Sequence, residues 1–316
     1  MSNIINIFIG FIVLVVSGLY AFLVVYSPKP RPRTESEKFY KDATSKEQRL
    51  PTILDKPTVS LSVIVPAFDE KQRLPIMLDE TVAYLEQRRK ADKSFTYEIL
   101  VVDDGSRDNT TDVALEFAKE KQNPYIRVLT LEVNRGKGGA VTQGMLSSGG
   151  ELLLMVDADG ATRFSDLDLL EKQLGEISRD GLAVTIGSRS HLVKTDAVVK
   201  RSFIRNFLMR GFHATLLLLG ISGIADTQCG FKLFTRAAAR RIFPNMHVER
   251  WIFDVEILLL AQMIHCPIAE VQVNWHEIDG SKVKLVQASI QMGMDLLVIR
   301  LNYLLGFWRV KEVKNE

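Results

Sequence analysis

Two aspartates, Asp157 and Asp159, stand one residue apart at the end of the apolar run ELLLMVDADG. Carboxylate oxygens are hard ligands that suit Mg²⁺ or Mn²⁺, and such a cation acts as a Lewis acid when a diphosphate leaves. Alternate residues of an extended chain face the same side, so both carboxylates should point in one direction. The pair therefore predicts a metal site, although a single aspartate at a strand end is more often a turn or capping residue.

Polar residues follow the other apolar runs of the chain as well. The predicted strands are Leu61 to Ala67, Tyr97 to Asp104, Ile126 to Val133, Glu151 to Asp159 and Leu182 to Arg189. Helical spacing between them predicts an α/β fold with a mixed, mostly parallel sheet of the Rossmann-like kind. Ligands of such sheets bind at the carboxyl ends of the strands. Several polar strand ends on one rim therefore predict a single binding site there.

A glycine-rich stretch, NRGKGGA, follows the third predicted strand. It lacks the GxxxxGK[ST] pattern of a P-loop. Its glycines and Lys137 precede a predicted helix, where backbone N–H groups can approach an anion. A plain strand-to-helix turn is the alternative interpretation.

The composition indicates a globular protein without a nucleic-acid partner. The 316 residues are 47% hydrophobic, and 40 basic side chains nearly balance 38 acidic ones. Such a balance provides no strong field for a polyanion. Cys229 and Cys266 lie among apolar residues without metal-binding or redox spacing, which predicts reduced thiols in the core.

The N-terminal run from Ile4 to Tyr26 carries no charged residue. As a helix rising about 1.5 Å per residue, it is long enough to cross the ~30 Å hydrocarbon core of a bilayer. Its length and its Tyr end favour an uncleaved signal anchor over a cleaved signal peptide. Lys29, Arg31 and Arg33 follow, so the positive-inside rule predicts a cytosolic domain, and these side chains should also attract anionic headgroups.

Four segments are predicted along the chain, the first being the anchor at 1–26. Residues 27–58 are rich in proline and charge, which predicts a juxtamembrane linker. The globular domain is expected at 59–283, with 190–225 as a segment at the acceptor and membrane interface; an ordinary helix packed on the sheet is the alternative. Residues 284–316 predict an amphipathic interfacial helix, with packing against the domain as the alternative.

The motifs VPAFDE, VVDDGSRDNT, NRGKGGAV and DADG occur in this order between Val65 and Gly160. As a set they resemble the motif series of inverting family 2 glycosyltransferases with the GT-A fold. The later stretches GSR, DTQCGFKLF and WIFDVEILLLA resemble the branch of that family that glycosylates polyprenyl phosphates. The resemblance extends over roughly residues 60 to 285, and the ordered series is far more specific than any single motif.

The resemblance implies an inverting enzyme that transfers glucose from UDP-glucose to dolichyl phosphate, with its domain on the cytosolic side of the endoplasmic reticulum membrane. The product would be the glucose donor for lipid-linked oligosaccharide assembly in N-glycosylation. Because a phosphate monoester is largely dianionic at neutral pH, the acceptor would need no strong general base. Two alternatives stay open: a mannosyl enzyme that uses GDP-mannose, and a membrane-tethered nucleotide-sugar-binding module without catalysis. The sequence leaves homo-oligomer formation open.

The resemblance also assigns residues to the site. The expected catalytic residues are Asp157, Asp159, Asp226 and Gln228, of which the first two would bind Mg²⁺ or Mn²⁺. Many relatives have glutamine at the position of Ala161, so water would take its place as a ligand. The expected donor-binding residues are Pro66, Phe68, Glu70, Asp103, Asp104, Lys137, Gly138, Trp251, Asp254, Ser281 and Lys282. The residues expected to hold the acceptor phosphate are Arg189, Arg201 and Arg205.

Some of these expected roles are specific. Asp103 would accept the uracil N–H, and Asp104 would brace its loop. Asp226 and Gln228 would wall the sugar pocket, together with Lys232, Trp251 and Asp254. Trp308, near the C-terminus, would lie at the lipid headgroups, as aromatic side chains often do.

Overall fold

The computed structural model describes residues 2–29, 31–192, 224–278 and 285–311, and the side chains of these residues except 2, 3 and 285–290. Within them the strands are β1 (Phe39–Lys41), β2 (Glu47–Arg49), β3 (Val59–Ala67), β4 (Tyr97–Asp103), β5 (Ile126–Thr130), β6 (Gly150–Val156), β7 (Val184–Ser188), β8 (Phe231–Thr235) and β9 (Ile268–Gln272). The α-helices are α1 (Ser2–Tyr26), α2 (Leu74–Ala91), α3 (Thr110–Glu120), α4 (Lys137–Leu146), α5 (Leu167–Ile177), α6 (Arg236–Ile242), α7 (Phe253–Met263) and α8 (Leu285–Leu304).

The described strands form one mixed sheet in the order β2-β1-β5-β4-β3-β6-β8-β7-β9. Strands β5, β4, β3 and β6 are parallel, whereas β8 runs antiparallel to both of its neighbours, β6 and β7. All seven residues of β4 are buried, as expected for a strand covered on both faces. The predicted α/β class and mostly parallel sheet are confirmed.

Helix α4 lies close to the sheet because small residues face β3 and β4. A methyl group added at Gly144 would come within 2.9 Å of Val102 Cγ2 and closer still to Ile64. Such close approach brings the N-terminal turn of α4 to the carboxyl ends of the parallel strands. Helix α4 therefore begins at the rim where the binding site was predicted.

The strand that leads to Asp157 and Asp159 is shorter than predicted. Strand β6 ends at Val156, and the chain turns through the two aspartates to Gly160, whose φ of +73° favours glycine. The backbone N–H of Asp157 still donates to the carbonyl of Gly230 (3.2 Å), which anchors the start of the turn. The expectation of an extended segment was therefore wrong, and a turn presents both carboxylates.

Helix α1 is long and apolar enough, over Ile4–Tyr26, to cross a membrane, and most of its side chains are exposed. Its C-terminal end contacts the domain, where Leu23 is buried. The hydroxyl of Ser27 accepts a hydrogen bond from the Asn302 amide of α8 (2.8 Å). The helix therefore ends against the domain, as a single-pass anchor attached to it would.

Residues 27–58 were predicted to be a linker, but residues 31–58 of this segment pack into the domain instead. Strand β1 pairs with β5, and Leu50 and Ile53 join the hydrophobic core. Arg31 and Arg33, expected at lipid headgroups, donate hydrogen bonds to Glu249 and Ser147 of the domain. The proline and charge content concealed these contacts, because their partners are remote in sequence.

The C-terminal part of the chain also packs against the domain. In α8, Leu296 and Ile299 are buried. Trp308 stacks on the His247 ring, with the centroids 3.9 Å apart, rather than standing out toward headgroups as predicted. Contact between the remaining exposed face, such as Leu304, and a membrane stays a prediction.

Candidate active site

A cavity of about 1030 Å³ opens at the carboxyl ends of β3, β4 and β6. It brings together many of the residues predicted for the site: Pro66, Phe68, Glu70, Asp104, Lys137, Asp157, Asp159 and Trp251. The end of α1 contributes Val25 and Tyr26, and α8 contributes Asp295. The cavity therefore joins the sheet rim to the apolar helix.

The two aspartates have the properties of an incomplete cation site. Oδ1 of Asp157 is buried, and although Nζ of Lys137 lies 2.6 Å away, no described donor bonds to it in good hydrogen-bond geometry. Asp159 accepts one hydrogen bond from the N–H of Ala161 (3.0 Å). Burial and the neighbouring Asp157 raise the pKa of Asp159. A divalent cation would relieve this repulsion, so the pair fits Mg²⁺ or Mn²⁺.

A third protein ligand is not found in the part of the chain that the structure describes. No group of three His, Cys, Asp or Glu side chains there could hold a metal. Ala161 lines the cavity and provides no side-chain ligand. The remaining coordination positions would fall to water and to oxygens of a bound diphosphate, as is common for Mg²⁺.

Lys137 is the cation that pairs with Asp157. It is the first residue of α4, and its ammonium forms the ion pair with Asp157. Burial alone would lower the pKa of Lys137, but Asp157 and Asp254 together raise it above the ordinary lysine value. Lys137 is therefore charged at neutral pH and available to a phosphate oxygen.

The glycine-rich turn before α4 is held by Asp104. Its two carboxylate oxygens accept hydrogen bonds from the N–H groups of Arg135 (2.7 Å) and Gly136 (2.8 Å). The N–H of Gly139 donates to the carbonyl of Glu249 (2.8 Å). These three backbone groups are thus already bonded within the protein, and the Lys137 side chain lines the cavity beside them.

Gly138, predicted to bind the donor, serves packing in this structure. A Cβ at this position would overlap the Phe253 side chain and lie 2.9 Å from the carbonyl oxygen of Arg250. Only glycine therefore lets α4 approach the start of α7 so closely.

The predicted base side of the cavity is formed by the end of β3. Pro66, Phe68 and Glu70 line it, and Glu70 accepts hydrogen bonds from the Arg73 guanidinium (2.7 and 2.5 Å). Asp103 is 2% exposed, and its oxygens accept from the Ser106 N–H (2.9 Å) and the Thr111 hydroxyl (2.5 Å). These bonds let Asp103 hold its loop, and its contact with uracil stays a prediction.

Arg189 and Asp226 are bound to each other. The guanidinium donates to both carboxylate oxygens (2.7 and 2.8 Å), and the Arg189 backbone N–H donates to the same carboxylate (2.9 Å). Burial would raise the pKa of Asp226, but Arg189 lowers it below the ordinary aspartate value. Asp226 is therefore ionised at neutral pH and fixes the direction of Arg189. Gln228 donates weakly to the Met292 sulfur (3.7 Å).

Lys232 and Asp254, expected in the wall of the sugar pocket, lie beneath it. Their side chains are 0% and 5% exposed and form an ion pair of 2.5 Å. Lys232 also donates to the carbonyl of Cys229 (2.6 Å). Lys232 belongs to β8 and faces the core, so the pair supports the floor of the cavity. Of the predicted sugar wall, Trp251 lines the cavity itself.

Replacing Lys232 with methionine should destabilise the protein strongly, because it leaves the Asp254 carboxylate buried without its partner. The expected loss is about 3–5 kcal/mol in the free energy of unfolding. Denaturant unfolding of the detergent-solubilised protein measures this loss. The matched control is Lys232→Met combined with Asp254→Leu, which should recover much of the stability, and a single variant as stable as wild type would contradict the account.

Four predicted residues lie outside the described part of the chain: Arg201, Arg205, Ser281 and Lys282. Most of the predicted acceptor segment at 190–225 lies outside it too. Their roles stay predictions.

The sequence interpretation missed Trp275 and Arg73 as cavity residues. Trp275 follows the weakly patterned strand β9, and the Arg189 guanidinium lies 5.4 Å from its ring centroid. The hydrogen bond to Glu70 raises the pKa of Arg73, as do the nearby Asp159 and Asp157. Arg73 could have been identified from its position three residues after the first motif, VPAFDE, which is one helical turn.

Comparison with known proteins agrees with this geometry. Residues 62–243 match the family described as Glycosyl transferase family 2. Dolichyl-phosphate beta-glucosyltransferase of Mus musculus is 50% identical over 303 residues, covering 95% of this chain and 93% of that protein. The protein of the same name from Saccharomyces cerevisiae is 42% identical over 321 residues, covering 96% of this chain and 95% of that protein.

Solved structures share the fold. A crystal structure of glucosyl-3-phosphoglycerate synthase from Mycobacterium tuberculosis with Mn²⁺ and UDP-glucose has a TM-score of 0.53 at 18% identity, covering 78% of this chain and 80% of that one. A second mycobacterial protein has a TM-score of 0.55 at 20% identity, covering 87% and 85%. The chain therefore belongs to glycosyl transferase family 2 and, within it, to the dolichyl-phosphate β-glucosyltransferases.

Proposed function

We propose that this glycosyltransferase moves glucose from UDP-glucose to dolichyl phosphate with inversion of configuration. The observation that carries the proposal is a cavity lined both by Asp157 and Asp159 and by Val25 and Tyr26 of the apolar helix. One cavity thus contains a candidate cation site for a sugar nucleotide and also reaches the membrane helix, from which a lipid acceptor would enter. The name that the two relatives share, dolichyl-phosphate beta-glucosyltransferase, agrees with this combination.

On the donor side, Asp157 and Asp159 would hold Mg²⁺ or Mn²⁺ through their carboxylate oxygens. When bound, the cation supplies Lewis-acid stabilisation of the charge that grows on the departing UDP. Lys137 would exchange its ion pair with Asp157 for one with a phosphate oxygen. Asp104 would keep Lys137 in place through the turn that it holds. Trp251 would pack against the sugar, and Pro66 and Phe68 against the nucleoside.

On the acceptor side, the phosphate would enter past the end of α1. Its oxygen would form a bond to the anomeric carbon while the bond from that carbon to the UDP oxygen breaks, which inverts the configuration in one displacement. The dianionic phosphate has no proton to remove. Asp226, ionised and bound to Arg189, would orient that guanidinium toward the acceptor phosphate. Arg201 and Arg205 would complete the phosphate site.

The proposed cellular location of the enzyme rests on the membrane helix and the basic residues that follow it. Helix α1 would anchor the enzyme in the endoplasmic reticulum membrane with its domain in the cytosol, where the basic residues after α1 favour it. A carrier lipid glucosylated there would be a glucose donor for lipid-linked oligosaccharide assembly.

Two other functions compete with this proposal. GDP-mannose would use the same cation site and acceptor path, but the relatives' names favour glucose. A binding module without catalysis would not need the paired Asp157 and Asp159 that this chain retains.

Donor choice tests the proposal. The full chain in detergent is given dolichyl phosphate, Mg²⁺ and either labelled UDP-glucose or labelled GDP-mannose, and the extracted lipid is counted. We expect label from UDP-glucose alone, in a β-linked product. Label from GDP-mannose would replace the sugar assignment, and label from neither donor would favour the binding module.

A further inference from the structure

The segment that leaves the membrane helix is bound to the glycine-rich turn. We call residues 27–29 and 31–37 the juxtamembrane strap. Arg31 donates from its guanidinium to the carbonyl oxygens of Asn134 (3.3 Å) and Arg135 (3.0 Å), and it forms an ion pair with Glu249. Arg31 thus joins the turn to the segment before Trp251.

The Arg135 side chain of the turn also forms hydrogen bonds with the strap. The Arg135 guanidinium donates to the carbonyls of Arg31 (2.6 Å) and Pro32 (2.9 Å) and to the Glu37 carboxylate (2.7 Å). Arg135 and Glu37 are 5% and 2% exposed, so this ion pair is buried. A buried, multiply bonded pair fixes geometry because breaking it leaves an unpaired charge out of water.

The strap also reaches the other end of α4. Arg33 donates to the carbonyl of Gln143 (2.8 Å) and to the hydroxyl of Ser147 (2.7 Å). The strap is therefore bonded near both ends of the helix that begins with Lys137.

The turn itself has little intrinsic rigidity. It contains Gly136 at φ +89°, and glycine restricts the backbone least; Gly138 and Gly139 follow in the first turn of α4. Its position relative to Asp157 thus depends on what surrounds it. Asp104 holds it from the sheet side, and the strap holds it from the side of the membrane helix.

We propose that the strap is a positioning element of the donor site: Arg31 and its neighbours hold the glycine-rich turn so that Lys137 meets the donor diphosphate. The membrane anchor is then part of the catalytic architecture as well as a tether. The inference rests on the proposed function in taking a nucleoside diphosphate as the occupant of the turn.

The test uses the full chain in detergent with the variant Arg31→Ala. The KM for UDP-glucose should rise about tenfold, because a displaced Lys137 would lose its charge-assisted contact with the diphosphate. The KM for dolichyl phosphate should change less than about twofold. The matched control is Lys38→Ala, which removes a nearby cation that pairs with the exposed Glu35. This control should keep the wild-type KM for UDP-glucose.

A second variant and a stability measurement separate positioning from folding. Arg31→Lys keeps the charge but loses the two-pronged guanidinium, so its KM for UDP-glucose should fall between those of wild type and Arg31→Ala. A lower melting temperature with an unchanged KM in both variants would make the strap merely structural and overturn the inference. If wild type neither binds nor uses UDP-glucose, the proposed function fails first and the inference fails with it.

Discussion

An Asp159→Asn variant should transfer glucose about a hundredfold or more slowly than the wild-type enzyme. Asparagine has the same shape and can still accept the Ala161 N–H, so the turn should persist. The asparagine amide, however, lacks the negative charge that the carboxylate of Asp159 would contribute to cation binding. Losing several kcal/mol of Lewis-acid stabilisation corresponds to a rate loss of this order. The measurement is the transfer rate at saturating UDP-glucose and Mg²⁺.

The control for this prediction is Asp180→Asn. Asp180 is exposed in a turn before β7, at a φ of +51° that asparagine tolerates well. The Asp180→Asn substitution removes the same charge far from the proposed reaction, so the transfer rate should not change. An Asp159→Asn enzyme with more than half of the wild-type rate would refute the cation assignment.

The second large effect is expected from Gly230→Ala. Gly230 is buried beside β8, and a Cβ there would overlap the carboxylate of Asp157. The Asp157 side chain would have to leave its position beside Lys137. Overpacking of this kind costs about 1–3 kcal/mol. If this cost is added to the activation free energy, the transfer rate falls by about tenfold or more. The transfer rate and the Mn²⁺ affinity should both fall.

Gly175→Ala is the matched glycine substitution. Gly175 lies in α5, and a methyl group there meets no atom within 4 Å. Alanine should leave transfer unchanged and stabilise the helix by about 0.5–1 kcal/mol. Wild-type rate and Mn²⁺ affinity in Gly230→Ala would show that Asp157 need not occupy its observed place.

The sheet and the rim of the site were predictable from the sequence. Buried parallel strands are continuous apolar runs, and β3 and β4 begin and end within a few residues of the prediction. The polar residues after them converge because parallel strands end on one side. The turn at Asp157 was missed because the prediction continued the strand through the two aspartates, although the apolar run itself ends at Val156.

The strap could not be predicted, for a different reason. The stretch SPKPRPR has no apolar periodicity, so composition alone indicates a linker. Arg31 meets Glu249, a partner 218 positions away, and only the folded chain brings them together. Burial likewise decides the role of Lys232: the sequence places this residue within the motif DTQCGFKLF, whereas the core encloses it with Asp254.

We propose that a divalent cation at Asp157 and Asp159 supports glucose transfer. The most direct measurement is transfer from labelled UDP-glucose to dolichyl phosphate by the full chain with Mg²⁺, with EDTA, and with Mn²⁺ added after EDTA. We expect product with Mg²⁺, loss of product with EDTA, and recovery with Mn²⁺. An unchanged rate in EDTA would contradict a role for a divalent cation.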